Sequence, residues 1–179
     1  MAVRDILIWP EPILATQAEP IQTVDDTIRS LASDMIETMY AARGIGLAAN
    51  QVGIAKRLIV IDLNPLPGEE EEGETREAAY GPHVMVNPEI IERAGSIIWE
   101  EGCLSVPGEV GEVERSAQIA VRYDTLEGDT LVVETDQLMA VCVQHEIDHL
   151  NGVVFPERMH DRGRARAIRV AMKQIKNPS

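Results

Sequence analysis

Two histidines four residues apart, His145 and His149 in the run HEIDH, are the residues best placed by type and spacing to do chemistry. On a helix, positions i and i+4 share one face about a turn apart, so both imidazoles can meet one cation. Glu146 then stands beside that cation as a general base. The plain alternative is a pair of satisfied helix histidines. Two histidines leave a catalytic site one protein ligand short of the usual three. Gly152 follows as in the metzincin pattern, but Phe155 occupies the place of the third metzincin histidine. Glu157, His160 and Asp161 lie too close downstream to return to the helix face, so the third ligand is expected upstream. Cys103, Cys142 and His83 are the candidates. Cys142 sits among apolar residues of the same helix and reads as pocket or core. His83 borders an acidic segment, a poor scaffold. Cys103 lies in EEGCLSVPG, where a glycine and a following proline fix an irregular backbone after a strand and can aim a thiolate, so it is favoured.

The elements that must position these residues follow from periodicity. A helix over 136–151 carries HEIDH. Thr23 or Asp25 caps an earlier helix reaching about Arg43, with Ile28, Leu31, Met35 and Met39 on one face and Gly44 as its stop. Residues 44–51 read as a glycine-marked loop feeding a buried strand at 57–63. Short strands are expected near 84–86, 89–92 and 96–99, then a hairpin turning at Glu127 and Gly128. The predicted fold is α+β: antiparallel or mixed sheets around the central HExxH helix, with an N-terminal and a C-terminal helix.

The chain has 179 residues, 45% of them apolar, which suits one globular domain. Sixteen basic residues face 30 acidic ones, a net charge of −14 that opposes binding to DNA or anionic membranes. Seven basic residues and one acid fall in 158–179, so the tail carries +6 and the body −20. In a helix over 160–176, Arg162, Arg166, Arg169, Lys173 and Lys176 form one stripe, with Ala165, Ile168, Met172 and Ile175 beside it for packing. Residues 65–82, rich in Glu and Pro, read as a solvated, dispensable acidic surface insertion. The apolar run before Pro10 is too short for a signal peptide and no membrane-length segment occurs, so a cytoplasmic location is expected.

Three runs in order, GIGLAANQ at 44–51, EGCLSVP at 101–107 and QHEIDHLNG at 144–152, resemble the signature motifs of the peptide deformylase family. The resemblance reaches from the N-terminal segment to about Phe155. It implies removal of formyl from N-formylmethionyl nascent polypeptides, with formate as product. It further implies one divalent ion on Cys103, His145 and His149, Fe²⁺ with Zn²⁺, Ni²⁺ or Co²⁺ as replacements. By the same resemblance the ion's water would be the nucleophile, Glu146 the base and acid, and the Gln51 side chain and Leu104 N–H the oxyanion donors. Gly46 would bind substrate backbone, and Ile45, Trp99, Leu138, Val141 and Cys142 would surround the methionine side chain. Glu109 and Val110 stand where some members carry basic or aromatic contacts. The family's substrate emerges on the ribosome, which makes the basic C-terminal helix a candidate ribosome contact. An HExxH metallopeptidase and a non-catalytic binding module are the competing readings.

Overall fold

The computed structural model describes residues 2–176. Its first helix, α1 (Asp26–Ala41), is capped by Asp25, whose side chain accepts from the Ile28 N–H at 3.0 Å. It ends because Arg43 takes a left-handed φ of 56°, letting the Gly44 N–H donate to the Met39 carbonyl at 2.9 Å. The expected stop, Gly44, serves differently: a Cβ there would lie 2.7 Å from Leu104 Cδ1. Residues expected as a loop form β1 (Gly46–Ala48) and a 3₁₀ turn, Ala49–Val52. Then come β2 (Leu58–Ile61), β3 (His83–Ala94), β4 (Ile97–Cys103), β5 (Val106–Arg115), β6 (Gln118–Asp124) and β7 (Thr130–Asp136). The chain closes with α2 (Gln137–Leu150), α3 (Phe155–Arg158) and α4 (Arg162–Lys176). The two strands expected over 84–92 are one bulged strand, and β5 was not expected at all.

A five-stranded antiparallel sheet, β1-β2-β3-β6-β7, faces a separate two-stranded hairpin, β4-β5. All named strand pairs are antiparallel. The four residues of β2 are buried because both sheet faces are covered. Ile59 and Ile61 pack with Val143, Ile147 and Leu150 of α2, while Leu58 and Val60 pack with Leu31, Met35 and Met39 of α1. Each fully buried Leu or Ile of this kind contributes about 1.5–3 kcal/mol of transfer free energy. Eleven consecutive residues of α2, Ala140 through Leu150, are buried, so the HEIDH segment lies at the centre of the molecule. Ile168 and Met172 of α4 join Trp9, Val113 and Phe155 in a third cluster. Ile175, expected on that packing stripe, is 52% exposed.

The acidic insertion is more firmly attached than its composition predicts. Arg76 pairs with Asp62, donates to the Tyr40 hydroxyl at 3.1 Å, and stacks its guanidinium 5.7 Å from the Tyr40 ring centroid. The Glu77 N–H donates to Asn64 Oδ1 at 2.8 Å. Composition shows the Glu run as solvated but not the single arginine that reaches a buried carboxylate. Arg76→Ala is expected to cost ~1–3 kcal/mol, the usual penalty for stripping a partner from a buried charge. A urea midpoint equal to that of the unsubstituted chain would mean that Tyr40 and Asn64 suffice to hold Asp62.

Candidate metal centre

The site forms where α2 passes between β1 and the end of the β4-β5 hairpin. Cys103 is the last residue of β4, and Leu104 and Ser105 make the two-residue connection to β5. Between the pairs Gly102↔Val110 and Cys103↔Val106, β5 holds three extra residues, Pro107, Gly108 and Glu109. This bulge bends the hairpin around a cavity of about 640 Å³. Ile45, Gly46, Gln51, Trp99, Cys103, Leu104, Leu138, Val141, Cys142, His145 and Glu146 all line it. His149 lies behind, fully buried, with Nε2 3.2 Å from Cys103 Sγ.

One ligand atom from each of Cys103, His145 and His149 lies within 4.8 Å of the others. Ligands about 2.0–2.3 Å from a tetrahedral ion stand ~3.5 Å apart, so the three side chains need only small rotations to share one. His145 Nδ1 is 2.8 Å from Glu101 Oε2, which leaves Nε2 for a cation. Burial holds the His149 pKa well below its usual value, keeping a lone pair available. Burial also opposes a proton on His145, yet hydrogen bonds to Cys103 and Glu101 draw its pKa well above the usual value. The donor set therefore attracts positive charge, and it fits a divalent ion. His83, at the start of β3, instead meets the Ala79 carbonyl at 3.2 Å.

Glu146 is buried and its Oε2 has no hydrogen-bond partner among the described residues. Burial raises its carboxyl to about 7, the range of a general base at neutral pH. The close approach is possible because residue 46 is glycine: a Cβ there would lie 2.4 Å from Glu146 Oε1. Gln51 accepts from the Ala48 N–H at 2.9 Å through Oε1, which turns Nε2 toward Ser105 Oγ at 3.2 Å and Cys103 Sγ at 3.6 Å. Ser105 was not singled out from sequence, although it sits inside the EGCLSVP run.

A family model described as Polypeptide deformylase matches residues 3–165. The chain belongs to the polypeptide deformylase family. It is 47% identical over 176 residues to the peptide deformylase of Alkalilimnicola ehrlichii, covering 98% of this chain and 93% of that one. A crystal structure of peptide deformylase from Ehrlichia chaffeensis superposes with a TM-score of 0.86 at 36% identity, covering 99% of each chain. A second structure from that organism, in complex with actinonin, gives 0.85 at 38% identity and covers 100% of each. Deformylase family membership implies a catalytic metal, and the Cys103, His145, His149 group is what this chain offers for one. No helix among the described residues is long and apolar enough to cross a membrane.

Proposed function

We propose that this chain hydrolyses the formyl amide of N-formylmethionyl peptides, releasing formate and a free amine, with a divalent ion held by Cys103, His145 and His149. The reading rests on one observation: Cys103, His145, Glu146, Gln51 and Leu104 share a cavity with the apolar side chains Ile45, Trp99, Leu138 and Val141, with His149 directly behind within ligand distance of Cys103 and His145. We read the ion as Fe²⁺, with Zn²⁺, Ni²⁺ or Co²⁺ as replacements, since imidazole and thiolate suit all four. When bound, such an ion lowers the pKa of water to about 7. Glu146 takes a proton from the attacking water and later delivers it to the leaving amine. The Gln51 amide and the Leu104 N–H stabilise the carbonyl oxygen as it becomes anionic, each worth about 3–4 kcal/mol. β1 is the outer strand of its sheet, so its free edge at Gly46 can pair with an extended peptide backbone. Cys142 completes the methionine pocket.

The test is formate release from formyl-Met-Ala-Ser by anaerobically purified, metal-assayed protein. Cleavage of unformylated peptides without formate release would favour the metallopeptidase reading. Acetyl-Met-Ala should react roughly 5- to 150-fold more slowly than formyl-Met-Ala, because forcing one methyl into a filled site costs about 1–3 kcal/mol. Formyl-Gly-Ala should fall by a similar factor through lost side-chain burial. Equal rates on formyl and acetyl peptides would refute the cramped site.

The substrate also suggests where the protein works: in the cytoplasm, close to the ribosome on which formylated chains emerge. Part of the basic face of α4 is occupied at home, with Lys176 on Glu11, Arg164 on Glu109 and the Arg169 guanidinium 5.1 Å from the Trp9 ring centroid. Arg166 and Lys173 are exposed and make no ion pair among the described residues, so they are the proposed contacts. Ile168 and Met172 belong to the core, so removing α4 would confound the test. Arg166→Glu with Lys173→Glu should instead weaken ribosome co-sedimentation, steeply so as salt rises, while turnover of a formyl dipeptide stays unchanged. Equal co-sedimentation would rule out this face as the anchor.

A further inference from the structure

A line of alternating charges runs from the surface to one side chain of the metal-binding group. Arg158, half exposed at the end of α3, donates from Nε to Asp148 Oδ2 at 3.0 Å and from Nη2 to Oδ1 at 2.8 Å. Asp148 also accepts from Arg115 Nη1 at 2.5 Å. Buried Arg115 grips both oxygens of Glu101, Nε to Oε1 at 2.7 Å and Nη2 to Oε2 at 2.9 Å. Glu101 Oε2 then meets His145 Nδ1 at 2.8 Å. Asp148, Arg115 and Glu101 are all buried, and apolar residues of equal volume would have avoided the cost of desolvating the ions. What the charges add is directional constraint.

We infer that Arg158 is a positioning residue for His145, acting through Asp148, Arg115 and Glu101 to hold the imidazole with Nε2 toward the cation. This rests on the metal reading proposed above. The planar Arg115 fork binds Glu101 on one side and Asp148 on the other, so a tilt of Asp148 moves the carboxylate that orients the imidazole. Arg158 clasps both oxygens of Asp148 and so stops that tilt. A lysine would restore the charge but not the two-point clasp. A role through charge alone has a different signature, because removing a cation from the vicinity should slow loss of a divalent ion.

The probe is Co²⁺ bound to the full chain, with its visible absorption followed as a chelator removes it. Losing a partner that orients a ligand typically costs 10–100-fold in metal affinity, and three links out we expect cobalt loss ~3- to 10-fold faster in both Arg158→Gln and Arg158→Lys. The visible bands of both variants should change in intensity as the ligand geometry relaxes. Arg162→Gln, which removes a nearby charge that among the described residues reaches only the Glu157 carbonyl, should behave as the unsubstituted chain. Unchanged bands and rates in the Arg158 variants would overturn the inference. So would a normal rate in Arg158→Lys with slower loss in Arg158→Gln, or an Arg162→Gln effect of equal size. Absence of cobalt bands in the unsubstituted chain would overturn the metal reading itself and this inference with it.

Discussion

Glu146→Gln is expected to lower kcat by about 10²- to 10⁴-fold, the usual worth of general acid–base catalysis, while metal content stays at the unsubstituted level. The amide keeps the size of the carboxylate, so packing against Gly46 and the sheet survives. What disappears is a group that burial has brought to about 7 and whose Oε2 has no competing partner among the described residues. A structural role for Glu146 makes the opposite forecast, a lower melting temperature with modest loss of turnover. Kinetics on formyl-Met-Ala together with elemental analysis separates the two, and near-normal kcat in metal-replete Glu146→Gln would exclude the base role.

Cys103→Ala should lose both metal and activity, whereas Cys142→Ala should keep its metal. Both cysteines line the cavity, so proximity alone does not choose between them. Chemistry does, because the thiolate is the ligand form. Burial, reinforced by the nearby Glu146 and Glu101 carboxylates, pushes the Cys142 thiol far up, so it stays protonated at any physiological pH. Cys103 sits at the hairpin tip with His149 Nε2 at 3.2 Å and the Gln51 amide at 3.6 Å from its sulfur. Removing it would take away one of the three proposed ligands, and affinity should fall by at least ~100-fold, beyond the loss seen when only an orienting partner goes. Metal retained after gel filtration of Cys103→Ala, or lost only from Cys142→Ala, would reassign the third ligand.

The central helix was legible because its two signals are local. Asp136 and Asn151, predicted as its limits, flank the observed Gln137–Leu150, and the i, i+4 spacing of the histidines depends on nothing outside the helix. α1 was legible for the same reason, and of the two expected caps, Thr23 and Asp25, it is Asp25 that serves. The loop expected at 44–51 hid β1 because a three-residue strand with a glycine at its start has no periodicity to detect; its partner β2 makes it a strand. β5 was missed because Pro107, Gly108 and Gly111 break the alternation that marks a strand, while the backbone tolerates them in a bulged two-stranded hairpin. The convergence of Cys103 on the histidines joins residues more than forty apart; elimination and the irregular EEGCLSVPG backbone favoured it, and the ordered motifs then implied it. Asp148 and Arg158 gave no sign at all, since an ion pair across the fold leaves no pattern along the chain.

The burial of His149 behind Cys103, in a helix whose residues from Ala140 to Leu150 are all buried, also bears on traffic. A cation held by the three proposed ligands would be reached through the cavity that Cys103 and His145 line, the same cavity proposed for the peptide. A bound peptide would then slow exchange of the ion, so an idle molecule would equilibrate with whichever cation is abundant around it while a busy one would keep the cation it already has. The identity of the working metal would become a matter of history and supply as much as of affinity, and chelators would compete best with a molecule that has no substrate.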